Sequence, residues 1–216
     1  CLSRGLGDVY KRQVWYSAAR ILGGFFTALT LGTVLGWVAS RFWVVETLLR
    51  PITAVIKATP VASFIILVLL WFSGKNLSVI ISMLMVFPVI YMNVLEGIRS
   101  ADEKLLEMAQ VFRLSVGKKL LYIYLPAVAP FFVSACSVSL GLCWKSGIAA
   151  EVIGTPDGSI GAVFYQAKIF LQTSELLAWT VVVVAVSVAF EKLFMLLLRL
   201  VLKKLKMEDV LNGKRA

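Results

Sequence analysis

The stretch Ser100–Pro126, SADEKLLEMAQVFRLSVGKKLLYIYLP, is the one long polar interval in a chain that is otherwise almost continuously apolar. Ser100 and Glu103 stand at the Ser-x-x-Glu spacing of a capping box, whose two side chains satisfy free backbone donors at the start of a helix. Leu105, Met108, Ala109 and Phe112 then recur at helical spacing, so the segment predicts a short helix with an apolar face beside a charged one. Ser115 predicts the cap of a second short helix. That second helix is expected to stop by Leu125, because the residue before a proline disfavours the α conformation. Pro126 then suits the first turn of the next helix, where its missing N–H is no loss. The stretch reads as a helix–turn–helix elbow between two membrane spans, exposed to one aqueous phase.

Moving outward, the flanking sequence is built of apolar runs. At 216 residues, 60% hydrophobic and mean hydropathy +0.89, the chain reads as an all-α integral membrane protein. Five candidate spans, 21–39, 52–72, 77–95, 126–148 and 176–198, each approach the ~20 residues needed to cross hydrocarbon. Gly32 and Gly36 put a small-residue face on the first, predicting close helix packing. Pro60 is expected to bend the start of the second and Pro88 to kink the third. In 151–175, Gly154, Pro156, Gly158 and Gly161 mark turns before a short helix through Tyr165 and Phe170.

Charge gives the orientation. With the elbow in the cytoplasm, Arg41, Arg50 and Lys57 lie on that side, as do Arg99, Lys104, Arg113, Lys118 and Lys119. The tail adds Arg199, Lys203, Lys204, Lys206, Lys214 and Arg215, making fourteen basic residues inside against Arg20, Lys75 and Lys168 outside. That asymmetry obeys the positive-inside rule. It also explains the net charge of +10 without nucleic acid, for which no basic helix interleaved with aromatics and no zinc-finger spacing is present.

Residues 1–13 stand apart. Ser3 to Gln13 reads as the translation of a transposase sequencing adapter, so this segment is set aside from the fold reading. Without it the net charge is +8. The remaining layout is a membrane domain over 14–206, with the elbow at 100–126 inside it, and a cytoplasmic tail at 207–216.

No catalytic or metal-binding constellation is expected. His is absent, and Cys136 and Cys143, seven apart on one helix face, read as small packing residues that cannot form a disulfide with each other. Gly74-Lys75 lacks the upstream glycine of a phosphate loop, so the chain carries no ATPase motif and is not expected to be an enzyme itself. Gradient-driven carriers usually place ionisable residues deep in their spans. The central thirds of these spans hold none, which points to a partner as the energy source.

Glu107-Met108-Ala109, Ser115 and Leu125-Pro126 resemble the EAA loop of ABC-importer permeases, the membrane subunits of binding-protein-dependent uptake systems. Trp71-Phe72, Glu96-Gly97-Ile98-Arg99, Ala149-Ala150-Glu151, Ser159-Ile160-Gly161 and Phe170-Leu171-Gln172-Thr173 resemble its nitrate/sulfonate/taurine branch. The family's first Ala is Met108 here. Its Gly, which ends the first loop helix in a left-handed turn, is Arg113, and Gly117 is expected to absorb part of that bend. The resemblance implies a type I importer helical bundle in the bacterial inner membrane, with five spans present and one more expected ahead of Val14. It implies a homodimer, cytoplasmic ATP-binding-cassette subunits that bind ATP and Mg, and an external solute-binding protein. Leu105, Glu107, Met108, Ala109, Phe112, Ser115 and Gly117 would form the ATPase-coupling surface.

The implied function is import of a small anion such as a sulfonate, taurine or nitrate. A gradient-driven carrier, or a membrane scaffold for which the elbow is only a docking handle, are the alternatives. Lys145, within Trp144-Lys145-Ser146, departs from the branch pattern. It has three readings: snorkelling to the outer headgroups, pairing with Glu151, or lining a pathway with Trp144, Ser146 and Glu151.

Overall fold

The computed structural model describes residues 2–204, with side chains from Lys11 onward. The tail expected at 207–216 lies outside the described residues, as do Cys1 and the side chains of the suspected adapter scar up to Tyr10. Nine α-helices in chain order make up the described part: α1 (Leu2–Arg41), α2 (Trp43–Ala58), α3 (Val61–Trp71), α4 (Gly74–Arg99), α5 (Glu103–Val111), α6 (Val116–Lys119), α7 (Leu125–Gly154), α8 (Ile160–Ile169) and α9 (Thr173–Lys204). A π-helical turn, Leu120–Tyr124, joins α6 to α7. Four stretches, Lys11–Arg41, Gly74–Arg99, Val116–Gly154 and Thr173–Lys204, are long and apolar enough to cross a membrane; α2 and α3 together make a fifth.

The core is a three-helix layer with α4 in the middle. Ile21, Phe25 and Ala28 of α1, Val86, Ile90 and Val94 of α4, and Cys136, Leu140, Cys143 and Trp144 of α7 form one buried cluster. Close approach requires missing side chains. A Cβ on Gly32 would lie 2.9 Å from Ile90 Cγ2, and one on Gly36 would lie 3.0 Å from Val94 Cγ1 and 3.1 Å from the Tyr91 carbonyl. α9 packs outside this layer, with Phe194 edge-on to Phe25, Glu191 Oε1 accepting from Ser137 Oγ, and most of its apolar surface exposed. Such a surface suits lipid or another protein rather than water.

Several local expectations give way to a different geometry. The second span is not one helix with a bent start: α2 ends at Ala58, α3 begins at Val61, and the two axes meet at 109°. Thr59 (ψ 132°) and Pro60 (ψ 135°) are both extended, because Pro60 has no N–H to continue the helix and disfavours α at Thr59. The cap of α5 is Asp102, whose carboxylate accepts from the Lys104 N–H at 2.9 Å, not Ser100. Ser100 instead closes α4, its hydroxyl donating to the Gly97 carbonyl, since two residues are needed to turn the chain before α5 can start. Ser115 holds the N-cap position of α6 but makes no side-chain capping bond. Gly161 lies inside α8 rather than in a turn.

Arg113 itself takes the left-handed conformation, φ +50°, and Gly117 contributes no positive φ. The Leu114 N–H reaches the Ala109 carbonyl and the Arg113 N–H reaches the Gln110 carbonyl, both at 3.0 Å. This is the Schellman pair of bonds that ends a helix, made here without glycine. Beyond it, Leu125 is α-helical despite preceding Pro126. The Leu125 N–H bonds to the Leu120 carbonyl, five residues back. That wider turn relieves the contact between the proline ring and the preceding turn, so the elbow runs into α7 without the expected stop.

Two outcomes follow from this packing. Gly36→Leu forces a side chain into Val94 and the Tyr91 backbone and lowers stability by about 1–3 kcal/mol, whereas Gly23→Ala, which has nothing within 4 Å, is neutral. Thermal unfolding of the solubilised protein separates the two. Arg113→Gly removes a left-handed non-glycine residue and strengthens the end of α5 by about 1 kcal/mol, read as roughly fivefold slower amide exchange in α5, while Arg113→Ala does not.

Candidate functional site

The elbow has a buried inner face and an exposed outer one. Ala109, 0% exposed, sits against Ala101 and Ile123 in a small cluster of its own, with Leu106, Leu114 and Tyr124 around it. Ala109 therefore belongs to the base of the elbow and not to an open docking face: α5 is only nine residues long and needs a small residue where it lies on the turn into α7. Leu105, Met108 and Phe112 remain exposed, Phe112 at 71%. Val111 and Val116, which the helical spacing did not single out, are exposed at 79% and 81%. Glu107, Ser115 and Gly117 are exposed as well. The outcome is a projecting apolar tip with a carboxylate beside it.

At the far end of α7, the residues weighed as a pathway do not come together. Trp144 is in the three-helix core, and Ser146 Oγ is turned back onto the Leu142 and Cys143 carbonyls. Glu151 is fully buried. Ser17 Oγ donates to Glu151 Oε2 at 2.6 Å and accepts from the Ile160 N–H at 3.0 Å, while the Gly161 N–H reaches the same carboxylate oxygen at 3.4 Å. The carboxylate thus sits at the N-terminus of α8, where the helix dipole favours negative charge. A Cβ on Gly161 would lie 2.3 Å from the Glu151 backbone, so only glycine permits the contact. Glu151 and Ser17 pin α1, α7 and α8 together. Lys145 alone of the four is exposed, and it makes no ion pair with Glu151. The serine that completes this latch is 134 residues from the glutamate, with no local pattern to mark it.

A third feature lies between α2, α4 and α7. A groove of about 390 Å³ is walled by Lys57, Pro88, Met92, Asn93, Glu96 and Phe131 among others. The Lys57 ammonium donates to Met92 Sδ at 3.4 Å, and the Asn93 amide donates to the Val89 carbonyl at 2.8 Å. Toward the α4 C-terminus the same two helices are tied by an ion pair between Glu46 and Arg99.

Comparison with known proteins agrees with this architecture. SsuC of Bacillus subtilis (strain 168), provisionally named an aliphatic sulfonates transport permease protein, is 30% identical over 182 residues, covering 83% of this chain and 65% of SsuC. The taurine transport system permease protein TauC of Escherichia coli (strain K12) is 26% identical, covering 81% of this chain and 64% of TauC. The chain thus spans slightly less than two thirds of the length of these two relatives. The nitrate import permease protein NrtB of Synechococcus elongatus is 26% identical over 199 residues, covering 82% of this chain and 69% of NrtB. In fold, the chain superposes on a crystal structure of an amino acid ABC transporter with a TM-score of 0.64 at 15% identity, over 94% of this chain and 96% of that one. The family pattern of the binding-protein-dependent transport system inner membrane component matches residues 28–207. With that match and its several apolar helices, the chain belongs to the family of binding-protein-dependent transport system inner membrane components, as a multi-pass protein of the cytoplasmic membrane.

Proposed function

We propose that this chain is the permease subunit of an ATP-binding-cassette importer for a small solute bearing an oxyanion, such as a sulfonate, taurine or nitrate. The observation that carries the reading is the elbow. Its tip exposes Leu105, Met108, Val111, Phe112 and Val116 in an interval too polar to lie in hydrocarbon, while Ala109 and Ile123 hold it rigid from below. Seating such anchors in a groove of a partner is worth roughly 1.5–3 kcal/mol per large side chain. The partner is a cytoplasmic ATPase subunit, which binds ATP and Mg and supplies the energy. Glu107, exposed beside the tip, would pair with a basic residue of that groove.

The charge distribution supports a cytoplasmic elbow and C-terminus. Two copies of the permease would place two elbows on two ATPase subunits. Closure of those subunits would draw the elbows together and rock the spans, and the continuous helical connection through the π-helical turn into α7 would transmit the movement. A solute-binding protein outside would deliver the solute. The relatives' names, which specify sulfonates, taurine and nitrate, support the solute class.

Two measurements test the reading. Met108→Asp or Phe112→Asp abolishes co-purification of the ATPase while leaving membrane insertion and thermal stability unchanged. Ala109→Asp, by contrast, buries a charge at the elbow base and lowers both docking and stability. Normal co-purification with the two tip variants would refute the docking role. At the other end, that Lys145 is exposed and without a carboxylate partner among the described residues supports a role in attracting an anion. Lys145→Met is expected to weaken anion uptake and Lys145→Arg to keep much of it. Normal uptake by the Met variant would mean that Lys145 only snorkels.

A further inference from the structure

The groove between α2, α4 and α7 holds chemistry that neither the elbow nor the Glu151 latch uses. Lys57 of α2 and Glu96 of α4 share its wall, yet neither forms an ion pair among the described residues. The same two helices do form one elsewhere, between Glu46 and Arg99. Lys57 is three helical turns from Glu46, and Glu96 about one turn from Arg99, so each charge lies near the helix face that carries the formed pair. One pair is closed and the other is held open across a cavity. The Lys57 ammonium makes do with a thioether, which is a weak acceptor.

Both charged side chains are exposed and line the groove. The groove runs from Pro88 to Glu96, roughly 5–17 Å along α4 from Arg99 at 1.5 Å per residue. At about 390 Å³ the groove has the size of a small-molecule site. A plain anion drawn to Lys57 would meet the Glu96 carboxylate, and a plain cation drawn to Glu96 would meet Lys57. A molecule with both charges neutralises both walls, while Pro88 and Phe131 offer apolar surface to a short methylene linker.

We infer that this groove is a station on the transport path for a small zwitterion of the aminoalkyl sulfonate class, with Lys57 taking the oxyanion and Glu96 the ammonium. The inference rests on the importer reading above and narrows its solute.

The test uses the permease reconstituted in vesicles with its ATPase and solute-binding protein, amounts of assembled complex being matched. Probes are taurine, ethanesulfonate, which lacks only the ammonium, and nitrate. Lys57→Met is expected to lower ATP-driven taurine uptake about tenfold or more, the size of one lost charge-assisted hydrogen bond, and Lys57→Arg to retain it. Glu96→Gln is expected to lower taurine uptake while sparing or raising that of ethanesulfonate. Lys57→Cys is expected to behave like the Met variant and to recover when 2-aminoethyl methanethiosulfonate restores the ammonium, but not with the neutral methyl reagent. Recovery after assembly excludes a folding defect as the cause.

Unchanged taurine uptake by Lys57→Met, equal loss of both sulfonates in Glu96→Gln, or equal recovery with both reagents would overturn the station. Uptake of ethanesulfonate or nitrate but not taurine by the unsubstituted complex would overturn it while leaving the importer reading in place. No ATP-driven uptake of any of the three probes would overturn both.

Discussion

In hydrocarbon every backbone N–H and C=O needs a partner within the protein, and each proline removes one donor. This chain answers that constraint in three ways, and its functional geometry follows from them. At Pro60 the helix breaks: the Thr59 N–H still reaches the Val55 carbonyl, and the Ser63 and Phe64 N–H groups restart on the Pro60 carbonyl. At Pro126 the helix widens into a π-helical turn and continues. At Pro88 it runs on, and the ring becomes part of the groove wall. The break turns α3 away by 109° and leaves Lys57 at the end of α2, beside α4. The widened turn makes the elbow a mechanical extension of α7 rather than a hinged loop.

The long elements were legible because length and apolarity suffice to mark a membrane helix, and the polar interval between two of them marks the elbow. What stayed hidden depended on competition between neighbouring groups. Ser100 and Asp102 both fit a cap, and the turn after α4 decides in favour of Asp102. Arg113 occupies a position that favours glycine, but two backbone bonds compensate for a left-handed arginine, and no composition rule weighs those bonds. Ala109 matched the apolar stripe of α5, but a nine-residue helix lying on Ala101 and Ile123 turns that part of the stripe inward. Spacing defines a stripe, while tertiary contact decides which edge of it is covered. Val111 and Val116 were missed for the converse reason, since they lie off the stripe and are exposed through their place at the tip.

The Glu151 latch shows the same limit over a longer range. In the sequence, Glu151 reads as a pathway charge or as a partner for Lys145. Only the fold brings the Ser17 hydroxyl from α1 to bridge the carboxylate and the start of α8, and only a glycine at 161 lets the α8 backbone approach. Held through Oε2, the carboxylate ties together the end of the bundle where α1, α7 and α8 meet. The elbow is braced at the opposite end by Ala109 and Ile123. Both ends of α7 are therefore tied to other elements.

Between the two braced ends, opposite charges face the same groove without pairing with each other. The open Lys57–Glu96 couple leaves two exposed, opposite charges on one groove without a counter-ion among the described residues. Two changes can pair these charges: the helices can close until the charges meet, as Glu46 and Arg99 already do on the same helices, or a solute can supply both missing charges. These alternatives exclude each other. A zwitterion in the proposed station would hold α2 and α4 apart, and its departure would let them close behind it. The residues that recognise the solute are then also those that would shut the path once it has gone, so that one pair of charges serves selection and closure without a separate gate.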